Sequence, residues 1–361
     1  MVGLKATEES PSELEAIGGW RHVLGRLTRH EDLTASEARA AMGEVLAGNA
    51  TNAQIAGFVI GLRMKGESVD ELTGLVGSML EHAVPVKAPE GVVDTCGTGG
   101  DGSHSINVST IAAFVVAGAG PVVCKHGGRA ASSAAGSADV MEALGVAIDL
   151  GPLGAARCLE EAGMAFLFAP RYHPALRHAA PVRSQLGVRT TFNFLAPLAN
   201  PARPSRQMVG VSDRSMADKL VGVLGASGSK RALVVYGHDG LDELTTTTTS
   251  TVVDLDVTAG VRSYEVDPVA LGLALAAPED LKGADPLTNA RYARAVLEGQ
   301  PGPHRDIVLL NAAAGLVAAG VAADLRAGLQ MADKSIASGS AAEALDRLVR
   351  VSQAAASEGP G

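Results

Sequence analysis

Aromatic residues are scarce in this chain. Phe, Trp and Tyr make up 3% of its 361 residues, although 47% are hydrophobic. The core must therefore be built mainly from Ala, Val and Leu, and 43 glycines allow close helix contacts. Cysteine is scarce too. Cys96, Cys124 and Cys158 lie far apart with no Cys-x-x-Cys spacing, so neither a disulfide framework nor a zinc motif is indicated. Reduced thiols in a cytoplasmic protein are the expectation, with Cys96 and Cys124 as small packing residues. Basic charge is in deficit, since 30 Lys and Arg against 39 Asp and Glu leave a net charge of −9. Non-specific nucleic-acid binders draw their affinity from basic surface, so that class is disfavoured and no nucleic-acid partner is expected. The most apolar stretches, residues 108–123 and 311–325, are too short or too broken by Gly and Pro to span a bilayer. The start of the chain is polar through Glu15 and carries no signal-peptide pattern.

What is present divides at Pro85. Residues 1–17 are polar and expected to be flexible. From 18 to 84 three capping boxes announce helices: Thr34 with Glu37, Thr51 with Gln54, and Ser68 with Glu71. Each opens a segment with apolar residues at helical spacing, such as Ile55, Phe58, Val59 and Leu62. Gly48 and Gly66 stand where two of these helices should stop. Beyond Pro85, short Val/Ile/Leu runs alternate with Ala-rich helical stretches. Candidate strands are 92–93, 122–124, 147–148, 166–168, 232–236 and 251–255. Such alternation predicts an α/β domain with a mainly parallel central sheet flanked by helices. The run of threonines at 245–249 reads as a strand lead-in. Residues 351–361, ending in Ala, Ser, Gly and Pro, read as a flexible tail.

The densest chemistry lies in Asp94-Thr95-Cys96-Gly97-Thr98-Gly99-Gly100-Asp101-Gly102. It follows an apolar run and precedes an Ala-rich helical segment, so it reads as strand, glycine-rich turn, helix. Backbone N–H groups in such a turn can close on an anion, and the helix N-terminus adds a favourable dipole. Gly97-x-Gly99-x-x-Gly102 satisfies the dinucleotide fingerprint, but that fold needs an acidic residue at the end of the next strand. Here the next strand ends in Lys125-His126-Gly127-Gly128-Arg129, which suits more phosphate. The Gly-Lys-Ser/Thr ending of a P-loop is absent. Two acidic residues in the first turn call for a metal ion or a cationic reaction centre. A phosphate-bearing ligand that carries Mg²⁺ meets both conditions.

These residues resemble the signatures of the anthranilate phosphoribosyltransferase family. The first is the Asp94–Gly102 turn with Asn107-Val108-Ser109-Thr110. Lys125 to Ser133 is similar to the second, extended by Gly136-Ser137-Ala138-Asp139. Phe168-Ala169-Pro170, His173-Pro174 and Ala180-Pro181-Val182-Arg183 resemble the third, and Asp239-Gly240-Leu241-Asp242-Glu243 the fourth. The four stand in the family's order. The resemblance implies a small discontinuous helical domain, 18–84 with 171–200 returning to it. It also implies a larger phosphoribosyl-pyrophosphate-binding domain, 85–170 and 201–350, in a homodimer. The implied reaction joins the amino group of anthranilate to the anomeric carbon of 5-phosphoribosyl 1-pyrophosphate and releases pyrophosphate, an early step toward tryptophan.

By the same resemblance, Gly97, Gly100, Asp101, Ser105, Asn107, Val108, Ser109 and Thr110 bind the sugar pyrophosphate. So do Lys125, His126, Gly127, Gly128, Arg129, Ala130, Ala131, Ser132, Ser133 and Ser137. Gly97, Gly128, Ala169, Pro170, His173 and Arg183 bind anthranilate, with Arg183 taking its carboxylate. Ser109, Asp242 and Glu243 hold Mg²⁺, as two ions. No side-chain nucleophile is evident, and His126 stands as a candidate helper in proton removal or, equally, as a structural histidine.

The chain also departs from the pattern. Gly128 stands where the family's second signature has Asn, and Ala196 and Ala199 where Gly and Thr are usual. The phosphoribosyl half of the site matches while the aromatic half is altered. Two readings follow: an anthranilate enzyme that tolerates glycine, or a paralogue for a substituted anthranilate or other aromatic amine. A pyrimidine phosphorylase and a non-enzymatic nucleic-acid-binding relative share the architecture. The Asp101, Asp242-Glu243 and Asn107–Thr110 set argues against the first, and the acidic balance with the retained Asp242-Glu243 pair against the second.

Overall fold

The computed structural model describes residues 12–130 and 134–359. The first helices are α1 (Glu13–Ala16), α2 (Gly19–Thr28), α3 (Ala35–Ala47), α4 (Asn52–Lys65) and α5 (Val69–Glu81). Strands and helices then alternate as β1 (Val93–Gly97), α6 (Val108–Gly118), β2 (Val123–Gly127), α7 (Ser137–Ala143), α8 (Pro152–Arg157) and β3 (Met164–Phe168). Three short helices follow: α9 (Ala169–Tyr172), α10 (Ala180–Leu186) and α11 (Phe192–Leu195). Next come β4 (Arg206–Gly210), α12 (Ala217–Ala226), β5 (Arg231–Gly237), β6 (Ser250–Asp256) and β7 (Gly260–Val266). The remaining helices are α13 (Pro286–Leu297), α14 (Pro303–Ala318), α15 (Leu325–Ala337) and α16 (Ser340–Ser357).

Two compact units divide the chain. One comprises residues 1–82 and 175–192, the other 83–174 and 193–361. In the first, the three expected capping boxes are all formed, at Thr34, Thr51 and Ser68. Gly48 and Gly66 are the C-caps of α3 and α4. A fourth box at Ser12 and Glu15 starts α1, so residues 12–17 are ordered by a cap that the polar composition hid. Lys65 is buried between Asp32 and Glu71 at 2.5 and 2.9 Å. The returning segment is tied down by Thr191, whose hydroxyl donates to buried Glu67 at 2.7 Å. It runs from 175 to 192 rather than 171 to 200. Tyr172 and His173 are held in the α/β unit, by hydrogen bonds to the Leu150 and Ala199 carbonyls.

The second unit is built on one seven-stranded sheet in the order β3-β2-β1-β4-β5-β6-β7. The first five positions are parallel, while β6 and β7 are antiparallel. Helix α6 is apolar from Ile111 to Ala117 and buried from Val108 to Ala117 except at Ser109. Small residues let α14 pack closely against it. A Cβ at Gly315 would stand 2.9 Å from the Val116 side chain, so the core closes with few aromatic rings.

Several expectations require correction. No strand forms at 147–148, where the chain is irregular and the Ala147 N–H donates to the Ser352 hydroxyl. Two strands, β4 and β7, were not expected. Residues 245–249 are a bent loop, with Thr245 and Thr246 buried, that leads directly into β6 at Ser250, as expected of a strand lead-in. The supposed flexible tail is helical through Ser357. Ala341, Ala344, Leu345, Leu348, Val351 and Ala355 form a buried stripe at helical spacing, continuous across the expected boundary at 351.

Candidate active site

Strand β1 is flanked by β2 on one side and β4 on the other, so the chain order reverses there. Ligands of open α/β sheets bind outside the carboxyl ends of the strands at such a point. Both glycine-rich turns leave from there, after Gly97 on β1 and Gly127 on β2. The Asp239–Glu243 turn leaves β5 at the same edge.

The three turns meet. Lys125 is 2% exposed and donates to the Thr95 carbonyl at 2.5 Å and to Ser109 Oγ at 3.3 Å. The Ser109 N–H, in the first turn of α6, donates to Glu243 Oε1 at 3.1 Å. Asp242 Oδ2 accepts from the Gly99 N–H at 2.6 Å. This approach requires glycine on the facing strands. A Cβ at Gly97 would overlap the Asp242 carboxylate, and one at Gly210 would overlap the Asp242 backbone carbonyl. Gly99, Gly100 and Gly102 all have positive φ, as the tight first turn demands.

The electrostatics are those of a sheltered anion site. Burial and then the neighbouring Asp242 push the Glu243 carboxyl well above its ordinary pKa, against the pull of Lys125. Glu243 Oε2 is buried without a partner among the described residues. Among the described residues, no group of three His, Cys, Asp or Glu closes a metal site by itself. The fit is instead to a hard cation that arrives with phosphate oxygens: two adjacent carboxylates, one oxygen idle, and the Ser109 hydroxyl alongside.

The remaining expected residues are placed as follows. Asp101 accepts from the Ser103 N–H and hydroxyl, shaping the first turn. Ser105 bridges to Lys282. Asn107 caps α6, and its amide is engaged on both sides, donating to Ala135 O and accepting from Asn289. Val108 points into the core and its N–H bonds the Ile106 carbonyl, so neither group is offered to a ligand. Thr110 is buried in the same turn. Arg129 is committed to Asp139 and Glu142 at 2.8 and 2.5 Å. Ala130 donates its N–H to Asp139, and Ser137 its hydroxyl to the Gly128 carbonyl. Ala131, Ser132 and Ser133 lie outside the described residues.

On the aromatic side, His126 and His173 are both buried, with ring centroids 5.2 Å apart. The Ala196 backbone engages the His126 ring, whose Nε2 is buried without a partner among the described residues. Burial, with His173 and Lys125 nearby, lowers the His126 pKa to about 3. It is therefore neutral at physiological pH. His173 Nε2 donates to the Ala199 carbonyl at 2.8 Å. Ala169 and Pro170 begin α9. A Cβ at Gly128 would stand 3.9 Å from Ala169 Cβ, an ordinary contact. Arg183 belongs to the helical unit. Its guanidinium stands 5.2 Å over the Phe192 ring and has no carboxylate partner among the described residues. Burial lowers its pKa.

Sequence reasoning missed the residues that hold these groups in place. Asn200 donates to Asp94 Oδ2 and to the Cys124 carbonyl, linking β1 to β2. Ser212 bonds Thr98 and Gly99. Asn311 and Asn289 are buried amides on helices. A lone Asn amid apolar residues of α14 was the available signal. Cys96 and Cys124 are free and buried, and burial raises both thiols.

The glycosyl transferase family a/b-domain model matches residues 89–342, and the glycosyl transferase family helical-bundle model matches residues 21–83. Anthranilate phosphoribosyltransferase of Methylobacterium nodulans is 51% identical over 338 residues, covering 94% of this chain and 100% of its own. The crystal structure of anthranilate phosphoribosyltransferase from Thermus thermophilus matches with a TM-score of 0.87 at 40% identity, over 92% of this chain and 99% of that one. The Saccharomyces cerevisiae anthranilate phosphoribosyltransferase in complex with PRPP and Mg matches with a TM-score of 0.86 at 25% identity, over 95% and 100%.

Proposed function

Because the chain belongs to the anthranilate phosphoribosyltransferase family, we infer that it transfers the phosphoribosyl group of 5-phosphoribosyl 1-pyrophosphate to the amino group of anthranilate, in tryptophan biosynthesis. The observation that carries this reading is the convergence of Lys125, Ser109 and Glu243 between two glycine-rich turns. It joins a buried cation, a helix N-terminus and an idle carboxylate oxygen in one place.

Displacement at the anomeric carbon forms a bond from the amine nitrogen and breaks the bond to pyrophosphate. Positive charge builds on the ribose and negative charge on the leaving group. Such a reaction needs positioning and electrostatic stabilisation rather than a side-chain nucleophile. In this reading the turn at 97–102 and the start of α6 hold the sugar pyrophosphate. Lys125 presents a fixed positive charge to phosphate. Gly127, Gly128 and Ser137 offer the second turn. Ser109, Asp242 and Glu243 hold Mg²⁺, as two ions, and the bound metal neutralises charge on the departing pyrophosphate.

The acceptor is oriented by Arg183, whose guanidinium has no carboxylate partner among the described residues and can take a carboxylate bidentately. Gly97, Gly128, Ala169, Pro170 and His173 line the ring. His126 is the one candidate helper in proton removal beside a purely structural role, and with a pKa lowered to about 3 it is a weak base. The room beside Gly128 also supports a second reading, turnover of ring-substituted anthranilates. The same account makes the protein a cytoplasmic homodimer, which light scattering at micromolar concentration checks for its oligomeric part.

The test is mass spectrometry of a mixture of protein, anthranilate, 5-phosphoribosyl 1-pyrophosphate and Mg²⁺. N-(5-phosphoribosyl)anthranilate and pyrophosphate are expected in equal amounts. Unchanged substrates would overturn the reading.

A further inference from the structure

Asn289 lies on α13, outside every signature of the family, and is 3% exposed. Its Oδ1 accepts from the Ala284 N–H at 2.7 Å, and its Nδ2 donates to Asn107 Oδ1 at 2.9 Å. Asn107 Nδ2 in turn donates to the Ala135 carbonyl at 3.0 Å. This relay has one possible direction. A backbone N–H only donates and a carbonyl only accepts, so each amide fits in a single orientation.

The relay joins three segments around the donor site. Asn107 caps α6, whose first turn carries Ser109. Ala135 closes the second glycine-rich turn just before α7. Ala284 belongs to a strap that also bonds the first loop, through Ile106 N–H to Leu281 O and Gly283 N–H to His104 O. The strap is pressed onto the relay, since a Cβ at Gly283 would lie 2.8 Å from the Ser105 carbonyl and 2.9 Å from the Asn289 amide. An apolar residue of similar size would fill the same space. A buried amide in a directed chain instead fixes distances between loops.

We propose that Asn289 is a positioning residue for the phosphoribosyl donor. Acting through Asn107, it sets the spacing between the start of α6 and the end of the second glycine-rich turn, so that both reach one pyrophosphate group; this rests on the donor-binding reading above. Misplacement of such groups by an ångström is enough to cost about a hundredfold in rate.

Asn289→Asp tests it in the full chain. The substitution is nearly isosteric and still accepts from the Ala284 N–H, but it turns an acceptor toward Asn107 Oδ1 and breaks the link between the two amides. Calorimetry with inorganic pyrophosphate and Mg²⁺ reads binding without turnover. The expected result is at least tenfold weaker pyrophosphate binding. The Michaelis constant for 5-phosphoribosyl 1-pyrophosphate should rise to match, with that for anthranilate within twofold of wild type. Asn289→Ala, which leaves a gap rather than a repulsion, carries the same expectation if the aspartate variant does not fold. A folded variant that binds pyrophosphate within twofold of wild type, or that shifts both Michaelis constants equally, overturns the proposal. Wild-type protein that binds neither pyrophosphate nor the donor overturns the donor-binding reading and the proposal with it.

Discussion

Asn311, fully buried on α14, closes two hydrogen bonds on the backbone of Leu244, the residue after Glu243. Its Oδ1 accepts from the Leu244 N–H at 2.9 Å and its Nδ2 donates to the Leu244 carbonyl at 2.8 Å. One side chain thus does for this loop what a neighbouring strand does for a sheet edge. It anchors the Asp242-Glu243 pair to the helical core. Asn311→Ala leaves a buried N–H and carbonyl unpaired, which should cost about 2–4 kcal/mol. Denaturant unfolding measures that loss. Turnover should fall by more than the unfolded fraction accounts for, because Glu243 loses its support.

Gly210→Ala should be more damaging than its size suggests. The added methyl meets the Asp242 carbonyl, which must move. Mg²⁺-dependent turnover is expected to fall roughly a hundredfold, as for other misplacements of this scale. Near-normal turnover in this variant would show that the Asp242 turn is not needed in its present position.

Gly128→Asn should fold and work. The position has ordinary space beside Ala169 and no left-handed backbone. A regained hydrogen bond to a charged acceptor is worth about 1.5–3 kcal/mol, so the apparent Michaelis constant for anthranilate should drop by roughly tenfold or more. Comparing initial rates with ring-substituted anthranilates shows whether the glycine broadens the acceptor range.

Arg183→Ala should raise the Michaelis constant for anthranilate at least tenfold and leave that for the phosphoribosyl donor within twofold. Arg183→Lys should recover only part of the loss, because an ammonium cannot take a carboxylate in the two-point fashion of a guanidinium. Steady-state kinetics with each substrate varied separately reads the split.

Acid should weaken the helical unit through Glu37. Burial raises this carboxyl, but the Thr34 N–H, His22, the Thr34 hydroxyl and Arg26 outweigh it and hold the pKa at about 2, below its ordinary 4.5. A carboxyl lowered by folding contributes fully above its unfolded pKa and loses that contribution as pH falls through its folded one. The stability at stake is on the order of 3 kcal/mol. Wild type should exceed Glu37→Gln in denaturant midpoint at pH 7, and the gap should close between pH 4.5 and 2. A gap of constant size would contradict this assignment.

The helical start was legible because its signals are local. Thr34, Thr51 and Ser68 each reach a partner three residues on, and a reader of the sequence can see both ends. The two glycine-rich turns were legible for the same reason. Strand β4 was not, since Arg206 and Gln207 have no strong strand preference and pairing with β1 and β5 decides their state. Strand β7 is largely exposed and lacks an alternating apolar pattern. Asn107 and Asn289 stand 182 positions apart, and only the fold brings their amides together. The signatures located Lys125, Ser109 and Glu243, with Gly97 and Asn107 beside them, but not Gly210, Asn200, Asn289 and Asn311, which help to hold them.

The most direct measurement is the initial rate of anthranilate fluorescence loss, with 5-phosphoribosyl 1-pyrophosphate and Mg²⁺ each present or omitted. The account predicts a rate that requires both and that collapses in Lys125→Met. Anthranilate left unconsumed by folded wild-type protein, with the donor turned over on another aromatic amine, would contradict the assignment of anthranilate as acceptor.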